Sequence, residues 1–283
     1  MNLPQEVLYF AKAYAVYAIC VVPMELAFPA RRQGFFRPGW GRDLMFNFGQ
    51  YLFWSMPIVG LLTAIHYGLR QHLPAPWFAE VASWPLAVQI AAAVILCDLS
   101  IYWVHRLQHR WEFLWRFHKV HHTSRHLDWI ASGREHPVDN LVTRLVENLP
   151  AMLLGVSLEA IAGFLVFRGL WAMYIHSNCR AEIAWLRPFL GSPQLHHWHH
   201  AIEKGGRVNF ANLNPLMDRL FGTYHAPGRM PDSYGLPEGQ RGAEDYASQI
   251  VHPLTPASCH DFLTPRRCLV VAALLSIAAY VGF

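Results

Sequence analysis

Long apolar runs recur along this 283-residue chain, at about 8–28, 48–69, 83–104 and 268–283, with a further span at about 149–176 that has room for two shorter helices. A helix of roughly 20 apolar residues matches the hydrocarbon thickness of a bilayer, so runs of this kind call for membrane helices. Composition agrees: 53% of the residues are hydrophobic and 15% charged, against about 25% charged in a soluble domain. No hydrophilic linker divides the runs, and the chain reads as a single integral-membrane domain, 1–283. The net charge of +4 does not indicate nucleic acid, because the basic residues gather beside the apolar runs. Gln5 and Glu6 stand where a signal peptide would be basic, so the first helix is expected to stay as an anchor. Cys20, Cys97, Cys179, Cys259 and Cys268 form no CxxC pair and read as small packing residues.

Arg31, Arg32, Arg37 and Arg42 crowd the connection after the first run, whereas the loop at about 71–83 is nearly uncharged. The positive-inside rule then places residues 31–42 and the end of the third run on the cytoplasmic side. For that topology to close, the 149–176 span must enter and leave on one side, as a hairpin or as a re-entrant element around Gly163. No alternation of period two suggests a sheet, and the Pro-, Gly- and Ser-rich stretch at about 226–265 reads as a loop or tail. The expected fold is all-α: a polytopic membrane helical bundle with a cytoplasmic histidine-rich cap.

Histidine placement carries the chemistry. Of 17 histidines, seven lie between 105 and 136 and four between 196 and 200. In HRLQH, His105 and His109 stand four apart and share one helix face; in HKVHH and HHWHH, His118, His121, His122 and His196, His199, His200 repeat an i, i+3, i+4 spacing. Eight imidazoles from three helical segments exceed what one ion uses, so two metals are the economical inference. Neither Glu-x-x-His nor HExxH occurs, which excludes the carboxylate-bridged bundles and the zinc proteases. His126 and His197 read as supporting or solvated groups. A membrane metal carrier would need polar residues deep in the helices, and a haem protein needs only one or two axial ligands.

The HxxxH, HxxHH, HxxHH series in such a chain resembles the fatty acid hydroxylase superfamily, which includes sterol desaturases and lipid hydroxylases. LWRFHKVHHTSRHLDWIASGREHP (114–137), IHSN (175–178), SPQLHHWHH (192–200) and NFANLNPLMDRLFGTYH (209–225) carry the likeness, with Met217 where the family often has tryptophan. The resemblance implies two iron ions, O2 as oxidant, and electrons from a separate ferredoxin, cytochrome or reductase. It implies as ligands His105, His109, His118, His121, His122, His196, His199 and His200, with His176 a ninth. His136 is either a tenth or the cap of a helix beginning near Pro137. The implied activity is hydroxylation of an unactivated C–H bond of a lipid, or desaturation on the same site; the spacing selects neither, nor the lipid. Such a protein would sit in the inner membrane of a bacterium or the endoplasmic reticulum of a eukaryote. Trp103, Trp111, Trp115, Trp129, Trp171 and Trp198 flank the clusters and are candidates to line a lipid entrance, although interfaces collect tryptophan in any case.

Overall fold

The computed structural model describes residues 3–240, 242–256, 260 and 263–281; Cys259 lies outside them. Twelve α-helices occur among the described residues: α1 (Leu3–Ala27), α2 (Trp40–Gly49), α3 (Ser55–His72), α4 (Ala75–Ser83), α5 (Leu86–Arg110), α6 (Glu112–His118), α7 (Pro137–Leu154), α8 (Leu158–His176), α9 (Pro193–His199), α10 (Leu216–Leu220), α11 (Tyr246–Val251) and α12 (Pro265–Val281). No strand accompanies them among these residues, only isolated bridges between Pro29 and Cys179 and between Ala201 and Tyr234.

Four helical stretches are long and apolar enough to cross a membrane: Val7–Ala27, Trp40–His72, Leu86–Arg110 and Leu158–His176. The second joins α2 to α3 through a π-helical turn, Gln50–Trp54. Side chains turned outward from these helices and α12 are apolar, with Ile19 73%, Ile95 61%, Val166 58% and Leu274 61% exposed. That arrangement suits lipid, where burial of apolar surface no longer drives association and close packing takes over. Small residues accordingly sit at the contacts: Ala93 and Cys97 of α5, Ala151 of α7 and Ala160 of α8 are fully buried in one cluster with Ile58, Leu62 and Phe164. These features make the chain an integral-membrane helical bundle.

Three expectations need correction. Of the two forms expected for the 149–176 span, the re-entrant element around Gly163 is overturned, because Gly163 lies inside α8 with Ile90 beside it. The chain breaks at Gly155, in the left-handed region at φ 93, and restarts where the Ser157 hydroxyl accepts from the Ala160 N–H. That is a glycine stop followed by a serine start, so α7 and α8 form a hairpin of two full helices. The loop at 71–83 contains α4. The stretch 226–265 is not all loop either, because α11 buries Ala247, Ile250 and Val251 against Phe46, Val120, Cys268 and Ala272.

The connection between α1 and α2 folds onto the segments that follow α6 and α8. Ala30 N–H donates to the Asn178 carbonyl, Gln33 Nε2 to the Leu127 carbonyl, and Arg37 makes a two-pronged pair with Asp128 at 3.0 and 2.6 Å. Asp43 completes a buried network, 2.6 Å from Arg37 and paired with Arg134. The arginine-rich connection and the histidine-rich cap therefore share one end of the bundle.

Candidate metal centre

α5 and α8 deliver histidines at their cap-side ends, His105 and His109 on one, His176 on the other. α6 ends at His118, and the chain then tightens into a 3-10 turn carrying His121 and His122, so the HKVHH stretch is not one continuous α-helix. For α9 the start is set by sequence: Ser192 caps it, accepting from Leu195 N–H, and Pro193 occupies the first turn. Its short length places His196, His199 and the C-cap His200 within one turn and a half.

These elements bring nine imidazoles into two groups in which one nitrogen from each ring lies within 4.8 Å of the others. The first is His105, His109, His118, His122 and His199; the second is His121, His176, His196 and His200. All are buried except His109, which is partly exposed.

The hydrogen bonds settle which nitrogen faces inward. His105 Nδ1 meets the Phe210 carbonyl at 2.7 Å, His121 Nδ1 the Arg134 carbonyl at 3.1 Å, His176 Nδ1 the Ala172 carbonyl at 2.7 Å and His199 Nδ1 the Val208 carbonyl at 2.8 Å. A carbonyl only accepts, so each Nδ1 carries the proton and each Nε2 presents a lone pair to the interior. His118 Nδ1 donates to Asp139 Oδ2 at 2.9 Å, and Gln108 holds the other oxygen at 2.6 Å.

Two such lone pairs oppose each other at His121 Nε2 and His176 Nε2, 3.0 Å apart. His196 and His176 approach to 2.9 Å, His200 and His196 to 3.1 Å, and His199 and His122 to 3.1 Å, all through Nε2. Buried lone pairs facing one another repel unless a cation lies between them. Donors about 2.1 Å from a common ion and near right angles stand about 3.0 Å apart. Nε2 of His105, His109 and His118 is buried with no partner in the protein. The two groups thus fit metal ions.

Electrostatics keep the rings ready. Burial pushes His121 down to about 4, with His118 adding to the shift, and His199 down to about 3. Burial also holds His122, His196 and His200 well below the ordinary range. These imidazoles stay neutral at physiological pH, which is the form that ligates metal. Replacing Asp139 by Asn weakens the bond that holds His118, and its expected result is a 10- to 100-fold loss of metal affinity at unchanged fold, read from metal retention during chelator dialysis.

His136 is not brought into either group. Its Nδ1 accepts from the Val138 N–H and its Nε2 donates to the Ile250 carbonyl at 2.8 Å, which makes it the cap of α7. His197 bonds Tyr234 and the backbone at 176–177 and also stays outside. Of the tryptophans, Trp115 packs on His109, His118 and His122, while Trp129 and Trp198 are buried and Trp103 and Trp111 exposed. Sequence reasoning missed Asp139, Asp43 and Arg134, single residues whose spacing repeats nothing.

Residues 90–223 match the profile of the fatty acid hydroxylase family, and all nine grouped histidines fall inside that range. Among curated relatives, ornithine lipid hydroxylase OlsE of Rhizobium tropici is 30% identical over 61% of this chain and 52% of its own length. Delta(7)-sterol 5(6)-desaturase of Leptosphaeria maculans is 28% identical over 64% of this chain and 54% of its own. Alkylglycerol monooxygenase of Danio rerio is 28% identical over 58% and 35%. The chain spans about half the length of the first two. No solved structure matches. The profile match over residues 90–223 and these relatives together support the fatty acid hydroxylase and sterol desaturase superfamily for that segment.

Proposed function

We propose that this chain is one membrane domain, 1–283, holding two iron ions, and that it hydroxylates an unactivated C–H bond of a lipid with O2 and electrons from a separate ferredoxin, cytochrome or reductase. Desaturation is the alternative outcome on the same site. The observation that carries this reading is the pair of inward-facing nitrogen nests, one of five histidines and one of four. Iron held there supplies the redox chemistry that attack of O2 on an alkyl C–H bond needs and that no side chain provides.

The protein's part is geometry and solvent control. His105, His109, His118, His122 and His199 would hold one ion and His121, His176, His196 and His200 the other. Carbonyls of Phe210, Arg134, Ala172 and Val208 lock ring orientation, so the donor atoms need no rearrangement to bind. Because α5 and α8 run from apolar, lipid-facing surface to these histidines, an amphiphile can reach the site while its tail stays in the bilayer.

The sharing of one end by the cap and the Arg31–Arg42 connection supports a cytoplasmic site. The membrane is then the inner membrane of a bacterium or the endoplasmic reticulum of a eukaryote. Lipid mass spectrometry on host membranes making the protein or its His199→Ala variant tests the activity. A lipid that gains one oxygen, or loses two hydrogens, only with His199 intact is expected. Iron-loaded protein that changes no lipid in the presence of a competent donor contradicts the reading.

A further inference from the structure

A groove of about 330 Å³ opens between α1, α3 and α8, with Tyr17, Ile58, Leu62 and Leu165 among its apolar walls. A smaller cavity of about 40 Å³ lies against His105, His118, His121, His176 and His196. Ser132, Glu135, Arg168 and Ala172 line both, so the two voids adjoin across these side chains, and the passage they outline is polar there. Ionisable groups inside a membrane bundle are costly and mark a functional site by default.

Arg168 is placed by a buried ionic cluster. Its Nε is 2.6 Å from Glu147 Oε2, and Glu147 Oε1 is 2.6 Å from Arg144. The two terminal nitrogens of Arg168 have no protein partner among the described residues. Glu135 offers one oxygen to Asn140 Nδ2 at 2.5 Å, and its other oxygen likewise has no partner there. The passage therefore presents a hydrogen-bond donor and an acceptor, both charged, within the walls it shares with the histidines.

We propose that Arg168 and Glu135 bind the polar group of the substrate, and that this group carries both an acceptor oxygen and an N–H or O–H donor, a secondary amide being the smallest that offers the two. An alkyl tail drawn past these side chains would strip water from a guanidinium and a carboxylate and return nothing. The tail then leaves through the groove between α1, α3 and α8. Oxidation of the bound lipid rests on the oxygenase reading; its binding does not.

Native mass spectrometry of the purified protein with N-methylhexadecanamide, methyl hexadecanoate and octadecane tests it. Binding of the amide is expected to exceed that of the ester, and the ester that of the alkane, by about tenfold or more at each step, since hydrogen bonds to charged groups carry that much affinity. Arg168→Met should bring the ester down to the alkane while the amide keeps the preference that Glu135 gives it; Glu147 stays paired with Arg144 in that variant, and substitution at Glu135 tests the site independently of it. Glu135→Ala should bring the amide down to the ester. Equal binding of the three ligands, or preferences unchanged in the variants, overturns the assignment. Preferences that hold and respond to the variants while no lipid is oxidised support this site and sink the oxygenase reading instead.

Discussion

Alanine at His121 is expected to empty one of two metal positions, lowering iron from two toward one per chain and lipid oxidation by well over a hundredfold. Loss of a group that merely orients a ligand costs 10- to 100-fold, and removing the ligand itself costs more. His121 belongs to the four-histidine group, which has no spare donor, and its Nε2 is the one that opposes His176 at 3.0 Å. Alanine at His136 should do neither. That ring spends both nitrogens on backbone, so its loss orphans the Val138 N–H and the Ile250 carbonyl and costs about 1–3 kcal/mol of stability. Iron analysis and thermal melting of the two variants in detergent separate the roles: H121A loses metal, whereas H136A melts earlier but keeps it. Loss of metal from H136A at unchanged melting would contradict the cap assignment.

The second large effect is on folding. Asp43 is fully buried and pairs with two arginines that are themselves 1% exposed, Arg37 and Arg134. Alanine there leaves Arg134 with only the Thr123 hydroxyl and strands its charge, which costs about 3–5 kcal/mol for a broken buried pair. The damage reaches the metal site, because the Arg134 carbonyl fixes the His121 ring. D43A should therefore unfold or be degraded more readily than the parent and lose metal from the four-histidine group. A melting temperature equal to the parent's would show that the network contributes nothing.

Much of this was legible in the sequence, for identifiable reasons. Long apolar runs set the membrane helices because a bilayer imposes one length on all of them. The i, i+3, i+4 histidines were visible because helical and 3-10 turns both bring such residues to one side, so even a break after His118 does not scatter them. His176 carried no spacing of its own; resemblance supplied it, and the structure seats it in the four-histidine group.

What stayed hidden depends on contacts remote in sequence. Asp139 meets His118 from 21 residues away, and Ile250 reaches His136 across 114. The choice between a hairpin and a re-entrant element stayed open, although Gly155 and Ser157 spell a stop and a start, because hydropathy runs on across the turn. Glu147 and Arg168 are single charges on helices that hydropathy treats as noise, and the ion pair that places Arg168 in the passage exists only once α7 and α8 are folded together.

The most direct test is the metal itself. Protein produced in iron-supplemented cells, purified in detergent and analysed by elemental mass spectrometry with Mössbauer spectroscopy, should hold two irons per chain, falling toward one in H121A, whose group has no spare donor. A single ion per chain, or zinc or copper in place of iron with lipid oxidation absent, would contradict the two-nest account.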